Sequence, residues 1–115
     1  MHQFAYSDIL EDSAFEARRR EREAFDRIID LLTRANERGP GSRVAAEALY
    51  HLRQMWTIFI EDLGSDENSL PKPLRASLIS IGIWIMKEAE ELRMGNRDSF
   101  DTLVAINTII RDGLK

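Results

Sequence analysis

The sequence contains no cysteine and only two histidines. Without cysteine, the chain can form neither a disulfide nor a thiolate metal site, and it has no cysteine nucleophile. His2 and His51 do not have the i, i+4 spacing by which one helix holds a metal ion with two imidazoles. We therefore expect no metal and no cofactor.

Long apolar segments are also missing. The longest run, Leu78–Met86, is less than half of the roughly 20 apolar residues that a membrane-spanning helix needs. The start of the chain, Met1–Asp8, has neither the basic nor the apolar region of a signal peptide, so we expect a cytoplasmic protein that does not enter membranes. The net charge of −4 argues against a protein that coats nucleic acid.

Signals of catalysis are equally scarce. The sequence has no phosphate-binding glycine loop and no nucleophile elbow. Glu88, Glu90 and Glu91 fit the solvated side of a helix, whereas catalytic carboxylates need an apolar pocket that shifts their pKa values apart. We therefore expect that the protein is not an enzyme.

Helix punctuation, in contrast, is plentiful. Ser13 and Glu16 have the spacing of a capping box, and Ser42 fits the N-cap of a second helix. Glycines and prolines divide the rest of the chain. The predicted helices run from Ser13 to the Gly39–Gly41 break, from Ser42 to Leu63, from Pro71 to Gly95, and from Asp98 or Ser99 to Gly113.

These helices predict an all-α fold: a compact helical bundle of about four helices with an N-terminal tail. Residues 1–12 are predicted to form the tail and residues 13–115 a single helical domain. The loops are short, which favours antiparallel neighbours. Because Leu78–Met86 is apolar on nearly every side, we expect the third helix to lie at the centre.

The apolar residues separate into a core set and a surplus. Trp56 lies in the middle of the apolar stripe of the second helix, so we expect it in the core; on the fourth helix, Asn107 is expected to face inward with its apolar neighbours. For Trp84, core and interface are equally compatible with the pattern. The surplus is Ile58, Ile79, Ile83 and Met86. Either the tail covers it, or the protein forms a homodimer, or another chain contributes an amphipathic helix.

The segment Glu16–Glu23 has four arginines among its three glutamates. It can be interpreted as a helix surface with ion pairs at i, i+3 and i, i+4, or as a small basic patch that contacts RNA phosphates. The glutamates would repel a phosphate backbone, and no aromatic residue accompanies the arginines to stack on bases. We favour the ion-paired surface.

Several blocks of the sequence resemble the flagellar biosynthesis regulator FlaF family. The match covers nearly the whole chain, and the blocks that carry it are Phe4–Tyr6, Ala17–Glu23, Leu52–Leu63, Leu74–Trp84 and Ile109–Leu114. The resemblance implies a bacterial cytoplasmic protein that promotes flagellin production. It also implies that the protein acts together with a second flagellin-synthesis regulator and that it binds flagellin itself. The resemblance assigns no catalytic residues.

With this resemblance, the surplus apolar surface becomes a candidate flagellin-binding site. We expect its floor to contain Ile79, Ile83, Trp84 and Met86, joined by Phe4 and Tyr6 of the tail. Arg53 or Arg75 would then meet acidic groups at the rim. The alternative function is direct binding to flagellin mRNA through the arginines of Glu16–Glu23.

Overall fold

The computed structural model describes residues 6–114, and the side chains of residues 15–114. Four α-helices follow one another, and no strand occurs in this part of the chain. The predicted all-α fold with four helices is confirmed. The helices are α1 (Tyr6–Arg38), α2 (Arg43–Leu63), α3 (Lys72–Arg93) and α4 (Asp101–Gly113).

Helix α1 begins earlier than the sequence indicates. Its first residue is Tyr6, so the predicted start at Ser13 is wrong. The stretch from Tyr6 to Asp12 contains no glycine or proline. Its three acidic residues stabilise the N-terminus of a helix, because the helix dipole is positive there. The helix can therefore start without the capping box. The division between a tail (1–12) and a helical domain (13–115) stays a prediction.

Three residues in the connections between helices behave as their residue types predict. Gly39 ends α1 with a φ of 98°, and Gly95 follows α3 with a φ of 81°; both angles lie in the left-handed region that glycine tolerates best. Ser42 caps α2, because its Oγ accepts a hydrogen bond of 3.2 Å from the Ala45 amide. The predicted cap of the second helix is confirmed.

The N-terminus of α4 is held by a side chain of α1. Its N-cap residue is Phe100, so neither Asp98 nor Ser99 is the N-cap. Instead, Asn36 at the end of α1 accepts a hydrogen bond of 2.8 Å from the Phe100 amide and donates one of 2.6 Å to Asp101 Oδ1. A side chain 64 residues away thus shares the capping with Ser99, whose Oγ accepts a hydrogen bond of 3.2 Å from the Asp101 amide.

All four helices contribute to the core, and its aromatic centre lies on α1 and α2. Phe25 and Phe59 meet the ring of Trp56 edge to face, with centroids 5.8 and 5.2 Å away. Trp56 is completely buried, and its Nε1 donates a hydrogen bond of 2.9 Å to the side chain of buried Asn107. The predicted core position of Trp56 and the inward orientation of Asn107 are confirmed.

Helix α3 lies at the edge of the bundle. It packs on α2, whereas α1 packs on both α2 and α4. The prediction that the third helix is central is therefore wrong. The apolar residues of α3 surround the helix, and only one side of it is buried: Gly82, Ile85, Ala89 and Leu92. No helix among the described residues combines the length and the apolar character needed to cross a membrane.

Candidate apolar binding surface on helix α3

The close contact between α3 and α2 depends on Gly82. A Cβ atom at this position would lie 2.8 Å from Trp56 Cε3 and from Ile60 Cδ1, which is well inside van der Waals contact. The absence of a side chain therefore lets the two helices approach. Ile85 and Ala89 complete the buried side, so the opposite side of α3 faces away from the bundle.

This outward side carries large apolar groups. Ile83 keeps 49% and Trp84 keeps 41% of its surface exposed. Consecutive residues in a helix are about 100° apart, so these two side chains cover a broad arc and not a single line. The structure thus answers the question that the sequence left open for Trp84: a large part of the indole is outside the core.

Ile79 and Met86 form the border between this surface and the core. Both are partly buried and pack against the core cluster. Leu74, in the first turn of α3, is a further exposed large apolar residue. We use the term outer face of α3 for the exposed residues Ile83 and Trp84, together with Ile79 and Met86 at its border. All four were candidate residues. At about 100° per residue, Ile79 and Met86 lie on the Ile83 side of the helix, and Trp84 is about 140° away from Ile79 around the axis.

Arg53 lies beside the outer face, on α2. Its Nη1 is 3.6 Å from Glu90 of α3, and the same carboxylate receives a hydrogen bond of 2.9 Å from Arg93. The hydrogen bond from Arg93 is the main reason why the pKa of Glu90 is below its ordinary value. Arg53 is exposed and retains donors that point to solvent, so its position is compatible with a rim residue.

Arg75 has a different environment. Its Nη1 donates hydrogen bonds of 3.2 and 3.0 Å to the backbone carbonyls of Leu63 and Ser65, at the end of α2. A cation at this position interacts favourably with the negative end of the helix dipole. Arg75 therefore fastens the start of α3 to the end of α2, which is a structural task that its sequence position did not reveal.

Two candidate residues cannot be placed. Phe4 lies outside the described residues, and so does the side chain of Tyr6, which is the first residue of α1. Their participation in the outer face stays a prediction.

The arginine-rich segment of α1 forms the ion pairs that its spacing predicts. Arg18 Nη1 is 3.0 Å from Glu21, and Arg19 Nη2 is 2.6 Å from Glu16. Glu21 is partly buried, and this burial raises its pKa despite the neighbouring Arg18. Two of the four arginines are thus engaged by acids of their own helix, as the ion-paired interpretation expects.

The structure also has a groove between α1 and α2 that the sequence did not predict. It has a volume of about 680 Å³, and Ala24, Ile28 and Met55 are among its apolar lining residues. Ile58 of α2 projects there with 67% of its surface exposed. Its place off the main stripe of α2 was a signal in the sequence, but the wall that α1 contributes was not.

Among the residues that the structure describes, no three His, Asp or Glu side chains are close enough to hold a metal ion together.

Comparison with known proteins identifies a family. No curated protein and no solved structure matches the sequence. The family model described as "Flagellar protein FlaF" matches residues 2–114, which is nearly the whole chain. Members of this family are flagellar proteins, and the tryptophan-bearing blocks of α2 and α3 lie within the match. The chain therefore belongs to the FlaF family of flagellar proteins.

Proposed function

We propose that the protein is a cytoplasmic flagellin-binding factor which promotes flagellin synthesis and secretion, and that it holds flagellin on the outer face of α3. The observation that carries this proposal is the exposure of Trp84 and Ile83 on a helix whose other side is anchored in the fold through Gly82. Family membership supplies the flagellar context.

Flagellin that has not yet assembled must keep its terminal amphipathic helices from aggregating, and an apolar helix face provides a partner for such a helix. Tryptophan in the middle of a binding surface contributes large contact area with little loss of conformational entropy. Arg53 beside the face would favour acidic residues along the edge of the bound helix.

The outer face also has the support that a binding site requires. Ile85 and Ala89 are buried directly behind it, so α3 does not have to rearrange when a partner binds. Exposed apolar surface of this kind is costly for a protein that stays alone, because it favours aggregation. A partner that covers Trp84 and Ile83 would remove this cost.

Calorimetric titration of the protein with purified flagellin tests the proposal. We expect binding that is weakened at least about tenfold by Trp84→Ala and by Ile83→Ala, because residues at the centre of an interface contribute about 1.4 kcal/mol or more. The matched control is Ile109→Ala, which removes an isoleucine with 66% exposure from α4. Circular dichroism verifies that each variant is folded.

Two results contradict the proposal. One is the absence of any heat of binding with wild-type protein, and the other is equal affinity for wild type, Trp84→Ala and Ile83→Ala. A second flagellin-synthesis regulator can be added to the same titration, where a ternary complex would leave the effect of Trp84→Ala in place.

The alternative, direct binding to flagellin mRNA, is less well supported by the geometry. Arg18 and Arg19 are already paired with glutamates of α1. Phosphate binding would have to replace these pairs, and it would weaken steeply with salt. A gel shift at two salt concentrations, with the triple variant of Arg18, Arg19 and Arg20 to alanine, distinguishes this function from flagellin binding.

A further inference from the structure

A cleft of about 710 Å³ lies along α2 and reaches α3 at Arg93. We call it the α2–α3 cleft. Buried Leu49 is one of its apolar lining residues. Among the described residues that line it, Arg53 and Arg93 are the only charged ones, and both are exposed. The cleft therefore favours an anionic group.

The apolar stripe on one side of the outer face leads to this cleft. Glu90 follows Ile83 by seven positions, and Arg93 follows Met86 by seven positions. Seven residues make nearly two helical turns, so each charged residue is about 10.5 Å farther along α3 and only about 20° around the axis from its apolar predecessor. Because Arg93 lines the cleft and Glu90 pairs with Arg53, the stripe ends at the charged border of the cleft.

Glu90 satisfies the two arginines only in part. Its Oε2 accepts a hydrogen bond of 2.9 Å from Arg93 Nε. Arg53 Nη1 is 3.6 Å from the same oxygen, which makes an ion pair without a hydrogen bond. Two guanidinium groups thus share one carboxylate, and a net positive charge remains. The Glu90 side chain is 39% exposed, so a carboxylate from a partner can compete with it for Arg53.

The other acidic residues near this end of α3 have partners of their own. Glu88 and Glu91 lie elsewhere around the helix, and both pair with Arg97, at 3.7 and 3.9 Å. On α2, Glu47 pairs with Arg43 at 3.9 Å. These acids therefore do not neutralise the two arginines of the cleft.

Tyr50 adds a third donor to the lining of the cleft. Its ring is largely exposed, and its Oη accepts a hydrogen bond of 2.8 Å from Gln54 Nε2. The hydroxyl hydrogen is then free to donate to another acceptor. A carboxylate accepts hydrogen bonds through both oxygens and suits guanidinium donors, as Glu90 already shows for Arg93.

We propose that, when flagellin binds to the outer face of α3, an acidic side chain of the bound helix enters the α2–α3 cleft and replaces Glu90 on Arg53 and Arg93. This inference rests on the function proposed above and specifies its partner. Along α3, Glu90 and Arg93 are about 10.5 and 15 Å from Ile83. The partner is therefore an amphipathic helix with an acidic residue about seven to ten positions from the apolar residue that contacts Ile83. Glu90 acts as an internal competitor for the arginines.

Calorimetric titration with purified flagellin gives the first test. Glu90→Gln keeps the size of the side chain and frees both arginines, so we expect flagellin to bind about two- to fivefold more tightly. The matched control is Glu91→Gln, which makes the same change of charge one position away and should alter the affinity by less than about twofold. Arg53→Gln and Arg93→Gln should each weaken binding about two- to fivefold, whereas Arg97→Gln is the control outside the cleft.

A zero-length crosslink identifies the acidic residue of flagellin. The double variant Glu90→Gln, Arg93→Lys places an amine in the cleft and removes the carboxylate of the same chain that would react with it. Carbodiimide joins an amine to a carboxylate, so we expect a link to an acidic residue of flagellin that is absent from wild type. Mass spectrometry locates this residue. The double variant Glu91→Gln, Arg97→Lys introduces an amine outside the cleft and should not give the same link.

Two results would overturn this inference and leave the proposed function in place. One is flagellin affinity that falls in Trp84→Ala but is unchanged in Glu90→Gln, Arg53→Gln and Arg93→Gln, because the outer face would then bind flagellin with the cleft empty. The other is an amine at position 93 that forms no link to flagellin. Wild-type protein that does not bind flagellin at all would overturn both proposals. Circular dichroism verifies that each variant is folded.

Discussion

The two tryptophans of this protein have opposite environments. Trp56 is completely buried, with Gly82 of α3 against its ring, and its indole nitrogen bonds to Asn107 of α4. Trp84 lies on the edge helix, with 41% of its surface in solvent. The same residue type thus serves the stability of the fold at position 56 and is exposed at position 84, where the proposed function uses it.

The largest expected effect compares the two residues directly. Trp56→Ala removes the centre of the aromatic core and leaves Asn107 without its partner, so we expect a loss of about 3–5 kcal/mol in the free energy of unfolding. Trp84→Ala should cost only about 1 kcal/mol, because much of the ring is already in water. Urea denaturation followed by far-UV circular dichroism measures both. Similar losses for the two variants would refute the contrast.

The second prediction concerns the contact that connects the two regions. Alanine normally stabilises a helix interior relative to glycine by about 0.5–1 kcal/mol. At position 82 its Cβ would meet the Trp56 ring, so we expect Gly82→Ala to lower stability by about 1–3 kcal/mol through overpacking. The control is Gly113→Ala at the end of α4, where nothing lies within 4 Å. A melting temperature of Gly82→Ala above that of wild type would show that α3 packs differently on α2.

A third prediction tests how α4 is held near Trp56. Asn36→Ala removes the hydrogen bonds to Phe100 and Asp101, and should cost about 1 kcal/mol, as the loss of an N-cap does. Amide exchange of Phe100 should become faster at the same time. Thr33→Ala is the control, because its hydroxyl bonds only to the Ile29 carbonyl of its own helix. Unchanged exchange of the Phe100 amide in Asn36→Ala would contradict this cap.

The smallest effects are expected from two carboxylates with opposite shifts. Burial, the largest cause, raises the pKa of Glu21 above its value in the unfolded chain. The folded state therefore binds the extra proton, and stability falls as pH rises from the ordinary value of 4.5 through the raised one. The pKa of Glu90 on α3 is lowered by its hydrogen bond from Arg93, so its contribution is present at neutral pH and is lost as pH falls through the lowered value.

Chemical denaturation of dilute protein over the acidic range up to neutral pH measures both slopes. In wild type, Glu21 makes the free energy of unfolding fall as pH rises, and Glu21→Gln should remove this fall. Glu90 makes the free energy of unfolding rise with pH, and Glu90→Gln should remove this rise. The same sign of change in the two variants would show that one of these environments is assigned incorrectly.

Much of the fold follows from local patterns. The apolar stripe of α2 is continuous, so its limits, its cap at Ser42 and the burial of Trp56 could be predicted from the sequence. The inward side of α4, including Asn107, could be predicted for the same reason. Where apolar residues repeat on one side of a helix, that side is the buried one.

The position of α3 could not be predicted in this way. Its apolar residues point in most directions, so the pattern does not decide which side is buried, and the choice of Gly82 and Ile85 depends on how α2 fits against them. The Asn36 cap and the Arg75 contacts with the end of α2 also depend on residues brought together only by folding. For the candidate site, the binding role of the outer-face residues stays a prediction, and the α1–α2 groove could not be predicted because α1 and α2 form it together only after folding.

The most direct test of the central claim follows both tryptophans in one sample. Protein labelled with 5-fluorotryptophan should give two fluorine NMR resonances, and Trp84→Phe assigns them. On addition of unlabelled flagellin we predict that the Trp84 resonance shifts and broadens while the Trp56 resonance stays in place. A Trp84 resonance that does not change at saturating flagellin would contradict the account.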